Sequence, residues 1–429
     1  MISFDRLFFD ITYTRTQAGT SGITRTVRNL LLQSQRLMAT QGKSCTPVAF
    51  HRTGFRAVPT ESIAKEEKTH VRAGATSTKA FKWATGRFVR SVILVLLRLP
   101  WFVLQPLWAI SSSWTFDSLI ADGKKITFKP GDVLFMCDAS WNYQAWTAAR
   151  LAREQGAKVV FVLYDLMPLT HPQFCFALVP YIFKQWLVQM LGCSDAVLCI
   201  SKATEKGLRD YAREKGVGLP PVGNFHLGSD AVSPNRTETA RVSVEKFMTQ
   251  GPPCFAAIGS FEPKKNYEFL LDTFEGIWSR GAEIRLVIIG RETAESRELI
   301  ERVRKHPEQG KRLMVMFDAT DVEVAFAYAS CRALVFPSLA EGFGLPLVEA
   351  RARGGIVIAS SLPAFVELAD SGVFIYPEGS RSALEALIIE HSENDIRAQV
   401  PPMIPFSWED SAAHCMRLLE KLLMPEHTL

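Results

Sequence analysis

The stretch that decides the fold runs Ala333-Leu-Val-Phe-Pro-Ser-Leu-Ala-Glu341-Gly-Phe-Gly-Leu-Pro-Leu-Val-Glu349-Ala. It begins as an apolar strand and continues as a loop with two glycines. Pro346 then predicts the start of a helix, because proline at the first helical position gives up no hydrogen bond. Glu341 lies in the loop and Glu349 in the first turn, so both carboxylates can face a ligand at the carboxyl end of the strand. The alternative is that Glu349 only interacts favourably with the helix dipole.

The composition is typical of a globular chain with two domains. Its 429 residues exceed what one hydrophobic core usually holds, and 47% are hydrophobic and 22% charged. A net charge of +5 suits anionic small molecules or a membrane surface, but it is too small to indicate a nucleic-acid partner. Eight cysteines without a C-x-x-C motif favour a reducing compartment. The first residues lack a secretory signal pattern, so a cytoplasmic location is expected.

Apolar runs alternate with helical patterns twice along the chain. This rhythm predicts an α/β protein of two doubly wound, Rossmann-like domains that face each other across a cleft. Strands are predicted at 7–11, 47–50, 132–135, 159–163 and 196–200, and then at 254–258, 285–289, 313–317, 333–336, 355–358 and 372–376. We place the domains at 1–235 and 236–429, with a hinge over 232–253. The last helix, through about Leu423, either caps the second domain or returns to the first.

One apolar segment departs from this rhythm. Residues 91–110 are long enough to span a bilayer and follow a basic stretch. A span would place strands of one sheet on opposite sides of the membrane, so we predict a peripheral or monotopic insertion over about 79–112, with Trp101 and Trp108 near the headgroups. A helical hairpin buried inside the domain is the alternative. The preceding residues 53–78 are predicted to form a flexible loop.

Strand-to-helix junctions of the second domain indicate an anion site. One strand ends at Gly259-Ser260, and Lys264-Lys265 open the next helix. Helix N-terminal amides together with Lys265 suit a diphosphate. A second junction places Arg291 where it adds another donor. The alternative is a pair of solvated lysines on a turn.

The first domain has matching junctions. A glycine loop leads to Gly22-Ile-Thr-Arg25, which opens a helix after the first strand. Asp165 follows a central strand, so we expect it to point into the cleft and hold an acceptor hydroxyl. It can also be a simple turn aspartate.

Several cofactor motifs are missing from the sequence. No strand is followed by G-x-G-x-x-G, and no G-x-x-x-x-G-K-[ST] occurs, so neither a nicotinamide dehydrogenase nor a phosphate-loop ATPase is supported. There is also no Asp-x-Asp pair to hold a divalent ion. We therefore expect no metal and no cofactor, with leaving-group charge met by lysine, amides and helix dipoles.

These motifs together resemble a known family. Glu341-Gly-Phe-Gly-Leu-Pro-Leu-Val-Glu349 is similar to the E-x7-E signature of retaining glycosyltransferase family 4, which has the GT-B fold. The segment 259–266 resembles that family's phosphate-binding segment. In the first domain, Gly22-Ile-Thr-Arg25 and Tyr164-Asp-Leu-Met-Pro168 are similar to mannosyltransferase-type members that build bacterial surface polysaccharides.

The resemblance implies a role for each matching residue. Glu349 would bind the donor ribose, Glu341 would contact the donor sugar near the reacting centre, and Lys265 would neutralise the departing diphosphate. The backbone amides that would assist at the sugar and phosphates belong to Phe343, Gly344 and Leu345. The chain departs from the family pattern at two positions: Ser260 stands where many relatives carry arginine, and Tyr164 where many carry histidine.

The expected function follows from this resemblance. It is a retaining, metal-independent transfer of a sugar from a nucleotide diphosphate sugar to a hydroxyl of a lipid-linked saccharide at the inner-leaflet membrane surface. The resemblance suggests mannose from a guanosine diphosphate donor. Two alternatives are a nucleotide-sugar epimerase of the same fold, which needs no acceptor, and a noncatalytic, membrane-associated sugar-binding protein.

Overall fold

The computed structural model describes residues 3–16, 21–51, 54–59, 123–142, 145–229 and 239–424. These residues form two α/β domains built on largely parallel sheets, which confirms the predicted fold class. The predicted membrane-associating segment 79–112 and the predicted boundary at 235 lie outside the described residues. Within the described ranges, no helix combines the length and the apolar character that crossing a bilayer requires.

The first domain contains a seven-stranded sheet in the order β3-β2-β1-β4-β5-β6-β7. Among its described strands, only the β2–β3 pair is antiparallel. The central strands are apolar and buried along nearly their whole length, as expected when helices cover both faces of a parallel sheet. The strands are β1 (Arg6–Asp10), β2 (Ser44–His51), β3 (Gly54–Ala57), β4 (Asp132–Met136), β5 (Lys158–Leu163), β6 (Ala196–Cys199) and β7 (Val222–Asn224). The helices are α1 (Gly22–Ala39), α2 (Ala145–Glu154), α3 (Met167–Thr170), α4 (Val179–Cys193) and α5 (Lys202–Lys215).

The second domain contains a six-stranded, parallel sheet in the order β10-β9-β8-β11-β12-β13. Strand order reverses between β8 and β11, and ligands of such sheets bind in the crevice at this reversal. The strands are β8 (Cys254–Ile258), β9 (Arg285–Ile289), β10 (Leu313–Met316), β11 (Leu334–Phe336), β12 (Val357–Ser360) and β13 (Val373–Tyr376). The helices are α6 (Val242–Thr249), α7 (Tyr267–Ser279), α8 (Arg297–Arg304), α9 (Asp321–Ser330), α10 (Leu345–Ala352), α11 (Pro363–Glu367) and α12 (Arg381–Glu393).

The C-terminal helix α13 (Trp408–Leu423) packs against α1 of the first domain. Its start approaches the first domain very closely, since a Cβ atom on Gly228 would lie 2.5 Å from Cα of Trp408. The hydroxyl of Ser411 also donates to the carbonyl oxygen of His226 at 2.7 Å. The chain therefore returns to the first domain after completing the second.

Two predicted loops contain regular structure instead. The expected hinge over 232–253 includes α6, whose apolar positions Val244, Phe247 and Met248 are buried. Arg241, just before this helix, pairs with Glu323 of α9 at 2.5 Å and so fixes α6 to the second domain. Within the expected loop 53–78, β3 adds an antiparallel edge strand to β2, and the residues from 60 onward lie outside the described ranges.

Candidate active site

Lys265 lies at the switch point of the second sheet, in the loop that follows β8. A short 3-10 turn over Pro263–Lys265 ends at Asn266, whose φ of 57° is left-handed, a conformation that asparagine tolerates better than most residues. The turn directs Lys265 inward, where its side chain is 11% exposed. Its ammonium nitrogen lies 2.5 Å from Oε1 of Glu341 and 5.0 Å from the ring centre of Phe336.

Glu341 is fixed by the loop that follows β11. The hydroxyl of Ser338 donates to the same Oε1 at 2.9 Å. The N–H of Leu339 donates to the carbonyl oxygen of Lys264 at 2.8 Å, which ties the two loops together. A cation and a carboxylate are thereby held at the carboxyl ends of the two neighbouring strands.

Lys264 lies among three carboxylates. Burial alone would lower its pKa, but the charges of Glu341, Glu262 and Asp165 outweigh burial and raise the pKa above its usual value. Its ammonium nitrogen is 3.4 Å from Glu262, which also accepts a hydrogen bond from Ser260 at 2.5 Å. Lys264 is therefore held as a cation.

Asp165 brings the first domain to this cluster. Burial raises its pKa, while Lys264 and a 3.0 Å hydrogen bond from the N–H of Met167 lower it in part. The Cβ of Asp165 also lies beside the loop of Glu341, 3.2 Å from where a Cβ on Gly342 would stand. Asp165 therefore combines a local turn bond with a place at the junction between the domains.

Glu349 lies one turn into α10. This helix begins after Gly344, whose φ of 131° favours glycine. Oε2 of Glu349 accepts a 3.0 Å hydrogen bond from the hydroxyl of Tyr328, and Oε1 accepts one from Arg25 of the first domain. Burial and the charge of Glu349 raise the pKa of Tyr328 well above its usual range, so this hydroxyl stays a donor. The second glutamate of the motif is thus shared by both domains.

The loop between the two glutamates touches the first domain directly. The hydroxyl of Ser201 donates to the carbonyl oxygen of Gly342 at 2.7 Å. A Cβ on Gly342 would lie 2.0 Å from the carbonyl oxygen of Tyr164, so only glycine fits there. The Tyr164 hydroxyl donates to the carbonyl oxygen of Cys137 at 2.7 Å inside the core, so this side chain serves packing and does not reach the cluster.

A second contact between the domains centres on Glu367 at the end of α11. Its carboxylate oxygens accept from the N–H groups of Lys202 and Ala203, each at 3.0 Å, at the start of α5. Nε2 of His226 lies 2.9 Å from the same carboxylate. Burial would raise the pKa of Glu367, but these partners lower it overall. A carboxylate of the second domain thus caps a helix of the first.

The remaining predicted residues lie around this centre. A Cβ on Gly22 would stand 4.0 Å from the side chain of Leu345, which places the start of α1 beside the start of α10. Phe343 is buried, with its ring 5.8 Å from that of His226. Gly259 carries a φ of 154° at the end of β8.

Arg291 is exposed just after β9. Burial and the charge of Asp138 raise the pKa of Tyr13, and Arg291 lowers it in part, so the guanidinium lies within electrostatic reach of this phenol.

Sequence reasoning missed four residues that shape the site. Ser338 and Glu262 lie inside the motifs already recognised, so their sequence positions could have predicted that they lie at the site. Tyr328 and Glu367 belong to helices outside those motifs, and only the packing of α9 and α11 brings them to the site.

Two facing Rossmann-like sheets with a site at their switch point define the GT-B class of glycosyltransferase folds. The sucrose-phosphate synthase of Thermosynechococcus elongatus superposes with a TM-score of 0.61 at 15% identity, covering 97% of this chain and 99% of that chain. Anabaena HepE in complex with UDP-glucose superposes with a TM-score of 0.57 at 13% identity, covering 97% of both chains. At these identities the likeness concerns the fold.

Residues 241–400, which make up most of the second domain, match the family model described as glycosyl transferases group 1. The chain is similar to the serotype-specific mannosyltransferase WbdA of Escherichia coli, with 29% identity over 282 residues, which are 63% of this chain and 35% of that protein. It is also similar to the phosphatidyl-myo-inositol mannosyltransferase of Mycobacterium leprae, with 28% identity over 213 residues, covering 45% and 54%. The chain thus spans about a third of the length of WbdA. These matches confirm the family resemblance read from the motifs.

Proposed function

We propose that the chain transfers a sugar from a nucleotide diphosphate sugar to a hydroxyl group of a saccharide during bacterial surface polysaccharide synthesis. The observation that carries the proposal is the Lys265–Glu341 pair, which joins the loops of β8 and β11, with Glu349 in the helix that follows the loop of β11. The similarity to mannosyltransferases such as WbdA supports mannose as the sugar.

The donor is proposed to bind on the second domain. Lys265 and Lys264 are cations at the switch-point crevice and would stabilise the negative charge that develops on the departing diphosphate. The first amides of α10 lack acceptors within the helix and would add donors beside Gly344. In this proposal the leaving-group charge is met by these groups, without a metal ion or a further cofactor. Glu349 would accept hydrogen bonds from the ribose hydroxyls.

The proposed reaction retains the configuration at the anomeric carbon. The acceptor hydroxyl attacks from the face that the diphosphate leaves, so a bond forms between acceptor oxygen and anomeric carbon as the bond from that carbon to the phosphate oxygen breaks. The acceptor proton passes to the departing diphosphate. Glu341 would contact the sugar near this centre. Asp165 would orient the acceptor, since it reaches the cluster from the first domain.

The acceptor is proposed to be a lipid-linked saccharide presented at the inner membrane surface. This part of the proposal rests on the family resemblance and on the apolar residues 91–110 with the basic stretch before them.

The proposal is tested with the purified protein, a panel of nucleotide sugars that includes GDP-mannose, and a lipid-linked saccharide acceptor. We expect nucleoside diphosphate release that requires acceptor, an α linkage in the product by NMR when the donor is an α-linked mannose, and unchanged rates in EDTA. Conversion of the donor sugar without acceptor would instead show an epimerase. Nucleotide binding without any turnover would show a noncatalytic protein.

A matched pair of variants links the activity to the site. Lys265→Met should abolish most acceptor-dependent release, whereas Lys305→Met, which removes an exposed lysine of the same domain, should leave it unchanged. Equal rates in the two variants would reject the site assignment.

A further inference from the structure

Both oxygens of Glu349 are engaged by protein groups that come from different domains. The hydroxyl of Tyr328 donates to Oε2 at 3.0 Å from the neighbouring helix of the same domain. Nη2 of Arg25, in the first turns of α1 of the other domain, donates to Oε1. The single carboxylate that the proposed function assigns to the donor ribose is therefore also a contact between the domains.

The two hydrogen-bond donors differ in how easily they can leave. Tyr328 is buried within the second domain. The side chain of Arg25 is 34% exposed, whereas that of Glu349 is 9% exposed, so Arg25 is the more accessible member of this pair. Nε of Arg25 is buried and has no hydrogen-bond partner among the described residues, so the guanidinium is incompletely satisfied where it lies. Of the two groups on Glu349, Arg25 is the one that an incoming ligand can displace.

A ribose diol and a guanidinium can both donate hydrogen bonds to the carboxylate of Glu349, so they compete for the same acceptor. Both offer two neighbouring donors to a carboxylate, and both need acceptor positions that face the crevice. Tyr328 occupies Oε2 from inside the domain, so the accessible position is at Oε1, where Arg25 donates.

We infer that Arg25 occupies the ribose position on Glu349, so that nucleotide binding and the Arg25–Glu349 contact exclude each other. This inference rests on the proposed function, because it takes Glu349 as the ribose ligand. Donor binding then breaks one contact between α1 and the second domain. The hydrogen bonds that Gly342 and Glu367 accept from the first domain remain. Linkage makes the effect reciprocal: whatever strengthens the Arg25 contact weakens nucleotide affinity by the same factor.

The test is a thermodynamic cycle with Arg25→Met and ligands that do or do not carry the diol. UDP and GDP, and their 2′,3′-dideoxy analogues, are titrated by calorimetry into the wild type, Arg25→Met and Arg36→Met. Arg36 is exposed on the same helix, so its variant controls for the loss of one positive charge. We expect Arg25→Met to bind the ribonucleotide about three- to tenfold more tightly, and the dideoxy analogue as the wild type does. Arg36→Met should change neither.

Two results with the Arg25→Met variant would overturn the inference. If Arg25→Met weakens both ligands, Arg25 binds the donor directly. If it changes neither, the guanidinium does not compete with the ribose.

The proposed function is tested separately by Glu349→Gln, which should erase the wild-type preference for ribonucleotide over dideoxy analogue. If the wild type shows no such preference, or binds no nucleotide, Glu349 is not a ribose ligand, and both the site assignment and this inference are wrong.

Discussion

The ammonium nitrogen of Lys265 lies 2.5 Å from Oε1 of Glu341, and this contact joins the loops that follow β8 and β11. The two side chains are only 11% and 13% exposed, so each charge depends on the other. A buried charge that loses its partner is strongly destabilising, whereas removing both charges together costs much less. Stability and catalysis can therefore be separated experimentally at this pair.

Under the proposed function, Lys265→Met should lower turnover by about 100- to 1,000-fold, because one of the two cations assigned to the departing diphosphate is lost. It should also lower the free energy of unfolding by about 1–3 kcal/mol, because Glu341 loses the cation in contact with it and keeps only the hydrogen bond from Ser338 and the charge of Lys264. Lys265→Met/Glu341→Gln should recover most of the stability and none of the turnover. Urea denaturation and nucleoside diphosphate release measure the two effects. If turnover returned together with stability, the pair would be structural only.

Gly342→Ala should displace the loop between Glu341 and Glu349 from the first domain. A Cβ atom at this position would lie 2.0 Å from the carbonyl oxygen of Tyr164, so the loop must move away from the first domain. We expect acceptor-dependent turnover to fall at least about tenfold, because the groups assigned to the donor lie on this loop and on the start of the helix that follows it. Gly192→Ala is the control, since no described neighbour lies within 4 Å of its added Cβ. Wild-type turnover in Gly342→Ala would contradict this account.

Glu367→Gln should weaken the contact between the domains in a pH-dependent way. The partners of this carboxylate lower its pKa below the ordinary 4.5. Its stabilising contribution is therefore complete above about pH 4.5 and is lost as the pH falls through the lower pKa of the folded state. The difference in Tm between wild type and Glu367→Gln should shrink as the pH falls below about 4.5. His226→Gln shows how much of the effect comes from the imidazole ring of His226. A Tm difference between wild type and Glu367→Gln that does not change with pH would contradict the assigned contact.

The candidate site in the second domain was predictable because its residues lie within two short segments. A strand, a glycine loop and a helix start fix where Lys265, Glu341 and Glu349 stand relative to the sheet, and the structure brings the first two into contact. The pairing of Glu349 with Arg25 joins residues 324 positions apart. No local pattern encodes such a contact, since it depends on how the two domains pack.

Two elements of the fold were not predicted, and the reason in each case lies in the local sequence. The helix Val242–Thr249 is short and flanked by prolines and glycines, so composition favoured a hinge, although Val244, Phe247 and Met248 already had helical spacing. The edge strand Gly54–Ala57 has four residues and begins with glycine, so it gave too short a pattern to separate from a loop.

Asp138→Asn should change how stability depends on pH. Asp138 lies just after β4 and is fully buried, and burial together with the charge of Asp10 raises its pKa from 3.8 to about 7. The folded state therefore keeps a proton that the unfolded state loses, and the wild type becomes less stable as the pH rises from about 4 to about 7. The amide of the variant carries no such proton, although it loses part of the bonding to Thr14.

Relative to wild type, Asp138→Asn should therefore gain stability across this pH range by urea denaturation, while Asp5→Asn, an exposed control, should not. A gap between variant and wild type that stays constant with pH would show that Asp138 is ionised throughout. The buried Asp10–Asp138 pair would then need another source of positive charge, because two neighbouring buried carboxylates cannot both ionise without one.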